Sequence, residues 1–242
     1  MKISEKINLD YEGLKKNGPI TIVALGDSVT HSCFGPGEIN YENGYWNQLR
    51  KMINAKRDYV PVNVINAGIG GITAIESVER MESQVLCHRP DLIIICFGLN
   101  DINGTLEDFL NPLGEIFEKS VESGAEVIYL SPNMLNTYVA DDTEESCLEY
   151  AAVTAEFQNN GKMDLYIESA VKLAAEKGVT VCDCYSEWKK LSETTDTTQL
   201  LSNRINHPTP EMHGLFARML YNIIFSENIE VSASDSTMYN KK

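Results

Sequence analysis

Leu92-Ile93-Ile94-Ile95-Cys96-Phe97 is an unbroken apolar run, bounded by Pro90 before it and Gly98 after it. Successive side chains of a strand point to opposite faces, so a strand with one wet face alternates apolar with polar residues. A run without alternation needs cover on both faces, as in a central strand of a mostly parallel sheet. Further apolar runs at Ile20–Leu25, Val62–Asn66, Glu126–Leu130 and Val179–Cys182 read as strands. Helical patterns near Gly44–Asn54, Ala74–Leu86, Thr105–Ser123 and Met163–Lys177 lie between them, and a last one runs from Pro210 to about Phe225. That alternation is the βαβ rhythm of an α/β fold.

The chain has 242 residues, enough for one α/β domain, and neither a repeat nor an internal linker divides it. We expect a single domain over residues 1–242, with its core at about 19–225 and a frayed polar tail at 232–242. Residues 133–161 form a long connection just after a strand end, readable as a lid or substrate wall or as a surface excursion. A net charge of -15 argues against nucleic-acid partners and against attraction to an anionic membrane surface. The N-terminus lacks the apolar core of a signal peptide, and no run approaches the ~18 apolar residues of a membrane span. The six cysteines follow no framework spacing, so reduced thiols and a cytoplasmic location are expected. Cys182 and Cys184 share a face of a strand-like run, but two thiols without nearby histidines are a weak metal signal.

Four segments carry residues with chemistry. Gly26-Asp27-Ser28 ends the first strand, Asn66-Ala67-Gly68-Ile69-Gly70-Gly71 follows the second, and Gly98-Leu99-Asn100-Asp101 follows the third. The fourth, "NHPTPEMH" at 206–213, precedes the last helix and can fold back onto the same edge. Ligands of open α/β sheets bind beyond the strand carboxyl ends, so these segments bring a serine, a histidine, glycine amides and an asparagine amide to one crevice. Those are the parts of an acyl-transfer site: nucleophile, base and oxyanion donors. Each residue also has a plainer reading. Ser28 suits a helix N-cap, Gly71 a turn, Asn100 and Asp101 a cap, and His207 a surface position before Pro208. Asp27 suits a turn-holding Asx role, and His213 a packing or hydrogen-bonding role on the last helix. His31 reads as a solvated loop residue or a pocket wall, and His88 lies at the wrong sheet end for catalysis. The G-x-G-x-x-G spacing of a dinucleotide loop is absent around Gly68.

Taken together, "ALGDSVTHS", "INAGIGGIT", "HRPDLIIICFGLNDI" and "INHPTPEMHG" resemble, in order, the four blocks of the SGNH (GDSL-type) hydrolase superfamily, from about Pro19 to Phe225. The resemblance implies a three-layer α/β/α domain with a five-stranded, flavodoxin-like, mostly parallel sheet. It makes Ser28 the nucleophile and His207 its general base. Gly71, or its neighbour Gly70, and Asn100 supply oxyanion donors together with the Ser28 amide. The implied activity is hydrolysis of a small O-acyl ester, such as acetyl on a carbohydrate, through an acyl-serine and with no cofactor or metal. An acyltransferase on the same site and a non-catalytic carbohydrate-binding module of the same fold are the alternatives. The sequence is silent on oligomeric state.

One position departs from the family pattern. The family usually has an Asp three residues before the catalytic His, and here Arg204 stands there. Asp196 is the nearest carboxylate upstream. We therefore expect a Ser28–His207 dyad, with Arg204 facing solvent and a backbone carbonyl or the amide oxygen of Asn203 or Asn206 accepting the His207 Nδ1 proton.

Overall fold

The computed structural model describes residues 1–225, so the expectation of a frayed tail at 232–242 lies outside the described residues. Two short helices, α1 (Ile3–Ile7) and α2 (Tyr11–Asn17), precede β1 (Ile20–Gly26) and the single turn of α3 (Ser28–His31). A small ribbon, β2 (Cys33–Gly35) with β3 (Glu38–Ile39), leads to α4 (Tyr45–Lys56) and β4 (Val62–Asn66). Next come α5 (Ala74–Val78), α6 (Met81–Gln84), β5 (Leu92–Cys96), α7 (Leu106–Glu122) and β6 (Glu126–Leu130). The chain continues through α8 (Leu148–Asn159), α9 (Lys162–Glu176), β7 (Thr180–Cys182), α10 (Cys184–Ser192) and α11 (Pro210–Phe225).

The five main strands pair in the order β4-β1-β5-β6-β7, and every pairing is parallel. This is the doubly wound order 2-1-3-4-5, whose switch point lies between the first and third strands, here β1 and β5. All five residues of β5 are buried, which is why its sequence does not alternate. Helices α4 and α11 pack on each other, while α5, α7 and α9 pack in succession. The sheet and these helices bury one continuous apolar core that includes Ile22, Ile94, Phe117, Tyr129, Trp188 and Phe216.

Several local expectations change. The pattern at Ala74–Leu86 breaks at Glu79 and Arg80 into α5 and α6, with a 3-10 turn after them. Cys184 begins α10 rather than continuing β7, since the Asp183 carboxylate caps the helix by accepting the Ser186 N–H. Its thiol still lies 3.8 Å from that of Cys182, both buried. Among the described residues no helix is long and apolar enough to cross a membrane.

Candidate active site

Two strand ends meet at the switch point. β1 delivers Asp27 and Ser28, and Asp27 caps α3 by accepting the Val29 N–H at 2.9 Å. β5 delivers Gly98 to Asp101, and the buried Asp101 carboxylate ties this turn to its neighbour. It accepts the Gly98 N–H at 3.0 Å and the Ala74 N–H, which opens α5, at 2.8 Å. Burial pushes Asp27 up to about 7 and Asp101 up to about 6; their mutual repulsion adds to the shift of Asp27.

The loop after β4 lies against α3. Its first amides continue the sheet, with Ala67 N–H donating to the Ala24 carbonyl and Ile69 N–H to the Gly26 carbonyl. A side chain at Gly68 would come within 2.5 Å of the His31 backbone nitrogen, so the close approach requires glycine. Gly70 N–H donates to His31 Nδ1 at 3.2 Å, and Gly71 follows with φ +83, which glycine adopts without strain. Asn100 Nδ2 donates to the Ile72 carbonyl at 3.0 Å. That uses one of its two hydrogens and leaves the second to be aimed elsewhere.

His207 arrives from the far end of the chain, on the loop before α11. The Asn203 side-chain oxygen shapes this loop by accepting the backbone N–H of Ile205, Asn206 and His207. The connection after β6 supports it. Asn136 N–H donates to the Ile205 carbonyl, and Asn133 Nδ2 donates to the Asn206 carbonyl. Thus the first part of residues 133–161 is a buried buttress, and α8 occupies its later part.

His207 Nε2 and Ser28 Oγ are 2.9 Å apart, with Ser28 only 6% exposed. Burial lowers His207 to about 4, opposed by the Phe34 backbone carbonyl, which favours the protonated ring. Among the described residues Nδ1 is buried without a hydrogen-bond partner of ordinary geometry. The amide oxygens proposed for it are engaged elsewhere: that of Asn203 as above, that of Asn206 by Asn203 Nδ2. Arg204 is not turned to open solvent as expected. Its guanidinium pairs with Asp142 at 2.9 Å and donates to the Gln199 and Leu201 carbonyls, away from His207. Asp196 accepts from Tyr138 Oη and Thr198 N–H.

His213 is buried, accepts the Tyr45 N–H at 3.1 Å and packs on Phe34; burial lowers it to about 3. His31 is half-buried at the end of α3, where it accepts the Gly70 N–H of the loop that carries Gly71. Its position three residues after Ser28, on the same helical face, was the available signal. Asp142 carried no signal, since only the folded chain brings it to Arg204. Among the described residues no three His, Cys, Asp or Glu side chains group as a metal site.

The arrangement presents a hydroxyl hydrogen-bonded to a neutral imidazole. The amides of Ser28 and Gly71 and an asparagine amide come from the elements beside it. Comparisons with known proteins give the same family. Residues 24–215 match the model of the GDSL-like lipase/acylhydrolase family. No curated protein matches the chain. Among solved structures, Axe2, an acetylxylan esterase from Geobacillus stearothermophilus, is similar with a TM-score of 0.66 and 19% identity. The match covers 85% of this chain and 94% of that one. LAE5, an alpha/beta hydrolase enzyme from the metagenome of Lake Arreo in Spain, has a TM-score of 0.66 and 20% identity, covering 87% and 97%. At these identities the likeness is one of fold. Catalytic mutants of Axe2 replace a serine, a histidine and an aspartate.

Proposed function

The chain belongs to the GDSL-like lipase/acylhydrolase family, and we propose that within it the protein is a serine ester hydrolase removing a small O-acyl group, such as acetyl, from a carbohydrate. The 2.9 Å contact between His207 Nε2 and Ser28 Oγ carries this reading. A serine hydroxyl is a weak nucleophile until a hydrogen-bonded base takes its proton. His207, held neutral by burial, is that base.

Ser28 Oγ attacks the acyl carbonyl carbon while its proton passes to His207 Nε2. The carbonyl oxygen becomes an oxyanion, and the N–H groups of Ser28 and Gly71 with the free Asn100 Nδ2 hydrogen stabilise it. One such donor is worth about 2.7–4 kcal/mol. Collapse expels the sugar alkoxide, which takes the proton from His207 and leaves acyl-Ser28. Water, deprotonated by the same histidine, adds to the acyl carbon; the bond to Ser28 Oγ breaks, Oγ takes the proton back from His207, and the acid leaves. The acetyl-carbohydrate assignment draws on the likeness to Axe2, an acetylxylan esterase, and on the lack of a long apolar flap in the sequence.

Turnover of p-nitrophenyl acetate and release of acetate from acetylated xylo-oligosaccharides test the proposal, each beside Ser28→Ala. We expect both activities in the wild type and neither in the variant. Activity that survives Ser28→Ala refutes the assigned nucleophile. Binding of the sugar without turnover makes the protein a carbohydrate-binding module instead. Faster turnover of long-chain esters than of acetyl esters overturns the acyl-size assignment.

A further inference from the structure

Oxyanion stabilisation works only if the donors are already aimed when charge develops, and a misplacement of about 1 Å can cost a hundredfold. The donor at Gly71 sits on a loop that has left the sheet. The last sheet-like bond is from Ile69 N–H to the Gly26 carbonyl. Beyond it, two side chains bracket Gly71. On one side Asn100 Nδ2 holds the Ile72 carbonyl, and on the other His31 Nδ1 accepts the Gly70 N–H.

Nothing else among the described residues holds the Gly70 amide. This amide is also close to the reaction centre, since a side chain at Gly70 would begin 3.9 Å from Ser28 Cβ and 3.6 Å from His31 Nδ1. His31 ends the same short helix that Ser28 begins, so one rigid turn carries both the hydroxyl and the acceptor. The chemistry of the bond is restrictive. Gly70 N–H is a donor, so Nδ1 must offer a lone pair, and the proton of neutral His31 resides on Nε2. A proton on Nδ1 would set donor against donor.

We infer that His31 is a positioning residue of the oxyanion hole: its Nδ1 lone pair fixes the Gly70 amide and thereby aims the Gly71 N–H at the oxyanion beside Ser28. The inference rests on the esterase reading above. It is separate from the Ser28–His207 contact, because His31 touches neither the hydroxyl nor the base among the hydrogen bonds described.

Two substitutions separate the acceptor from the ring. His31→Asn keeps an acceptor, the amide Oδ1, one bond beyond Cγ as Nδ1 is, and loses the ring. His31→Phe keeps a ring beside Tyr41, whose centroid lies 6.2 Å away, and loses the acceptor. The measurements are kcat and KM for p-nitrophenyl acetate, with thermal melts to verify folding. His31→Phe should lower kcat roughly ten- to a hundredfold, with KM within about twofold, because the aim of the donor matters most in the transition state. His31→Asn should stay within about threefold of wild-type kcat. A His31→Phe enzyme within threefold of wild type overturns the inference, as does a folded His31→Asn as slow as His31→Phe. A wild type without ester turnover overturns the esterase reading and this inference together, whereas an active wild type with either adverse variant overturns only the role of His31.

Discussion

Asn100 and His207 make claims that can be checked one residue at a time. The Asn100 amide is already half-committed to the Ile72 carbonyl, which fixes its orientation before substrate arrives. In the proposed mechanism its free hydrogen gains most once the oxyanion forms, so Asn100→Ala should lower kcat on the order of 10²–10³ with little change in KM. Steady-state kinetics on a folded variant decide this, and an unchanged kcat would leave Asn100 a purely structural tie. For His207 the direction of the pKa matters. Burial lowers it to about 4, so the ring stays neutral well below the ordinary imidazole range. The acid limb of kcat/KM, which reports the free enzyme, should therefore fall near pH 4 and not near 6.5. A limb centred near 6.5 would mean that solvent reaches the ring.

At the scale of elements, the turn from β1 into α3 holds a buried carboxylate whose ionisation burial opposes. Asp27 is fully buried, one oxygen accepts the Val29 N–H, and the other has no partner among the described residues. Its folded-state pKa of about 7 lies above the unfolded carboxylate value, so its contribution to stability is fully present below about pH 3.9 and lost as pH rises through about 7. His207 and His213 act in the opposite sense. Both are lowered by burial, so their stabilisation is present above about 6.5 and lost as pH falls toward 4 and 3. Asp27→Asn keeps the acceptor for Val29 and removes the ionisation. Its melting temperature relative to wild type should therefore rise between pH 5.5 and pH 8, by at least about 2–4 °C for each kcal/mol relieved. A constant difference across that window would show that Asp27 does not titrate there. The strands were legible because burial leaves a direct mark on sequence: β5 reads as apolar throughout since both its faces are covered. Short elements were not legible. α1 and α2 have too few residues to show a period, and the onset of α10 at Cys184 depends on a cap by Asp183 within a run that alternates like a strand.

Across the whole molecule, the parts of the site come from chain segments up to 179 residues apart, joined at the β1–β5 switch point. The four blocks were readable because each is local: a strand end, a turn, a histidine before a proline. The surroundings of Arg204 were not readable, because they depend on contacts between distant segments. Arg204 fills the position of the family's aspartate, yet Asp142 and two carbonyls draw its charge away from the imidazole. Asp196 is held by Tyr138 and Thr198, so Asp196→Asn should keep kcat/KM within about tenfold, far from the ~10⁴-fold loss seen when a triad aspartate is neutralised. A loss of thousands-fold in a folded Asp196→Asn enzyme would show a carboxylate-dependent triad. In the proposed mechanism Ser28, activated by His207 without a carboxylate, faces an oxyanion hole. The most direct measurement is mass spectrometry after reaction with a fluorophosphonate, on the wild type and on His207→Ala. One adduct is expected, on the peptide containing Ser28, and it should be lost in the histidine variant. An adduct on another serine, or labelling of Ser28 that is indifferent to His207, would contradict it.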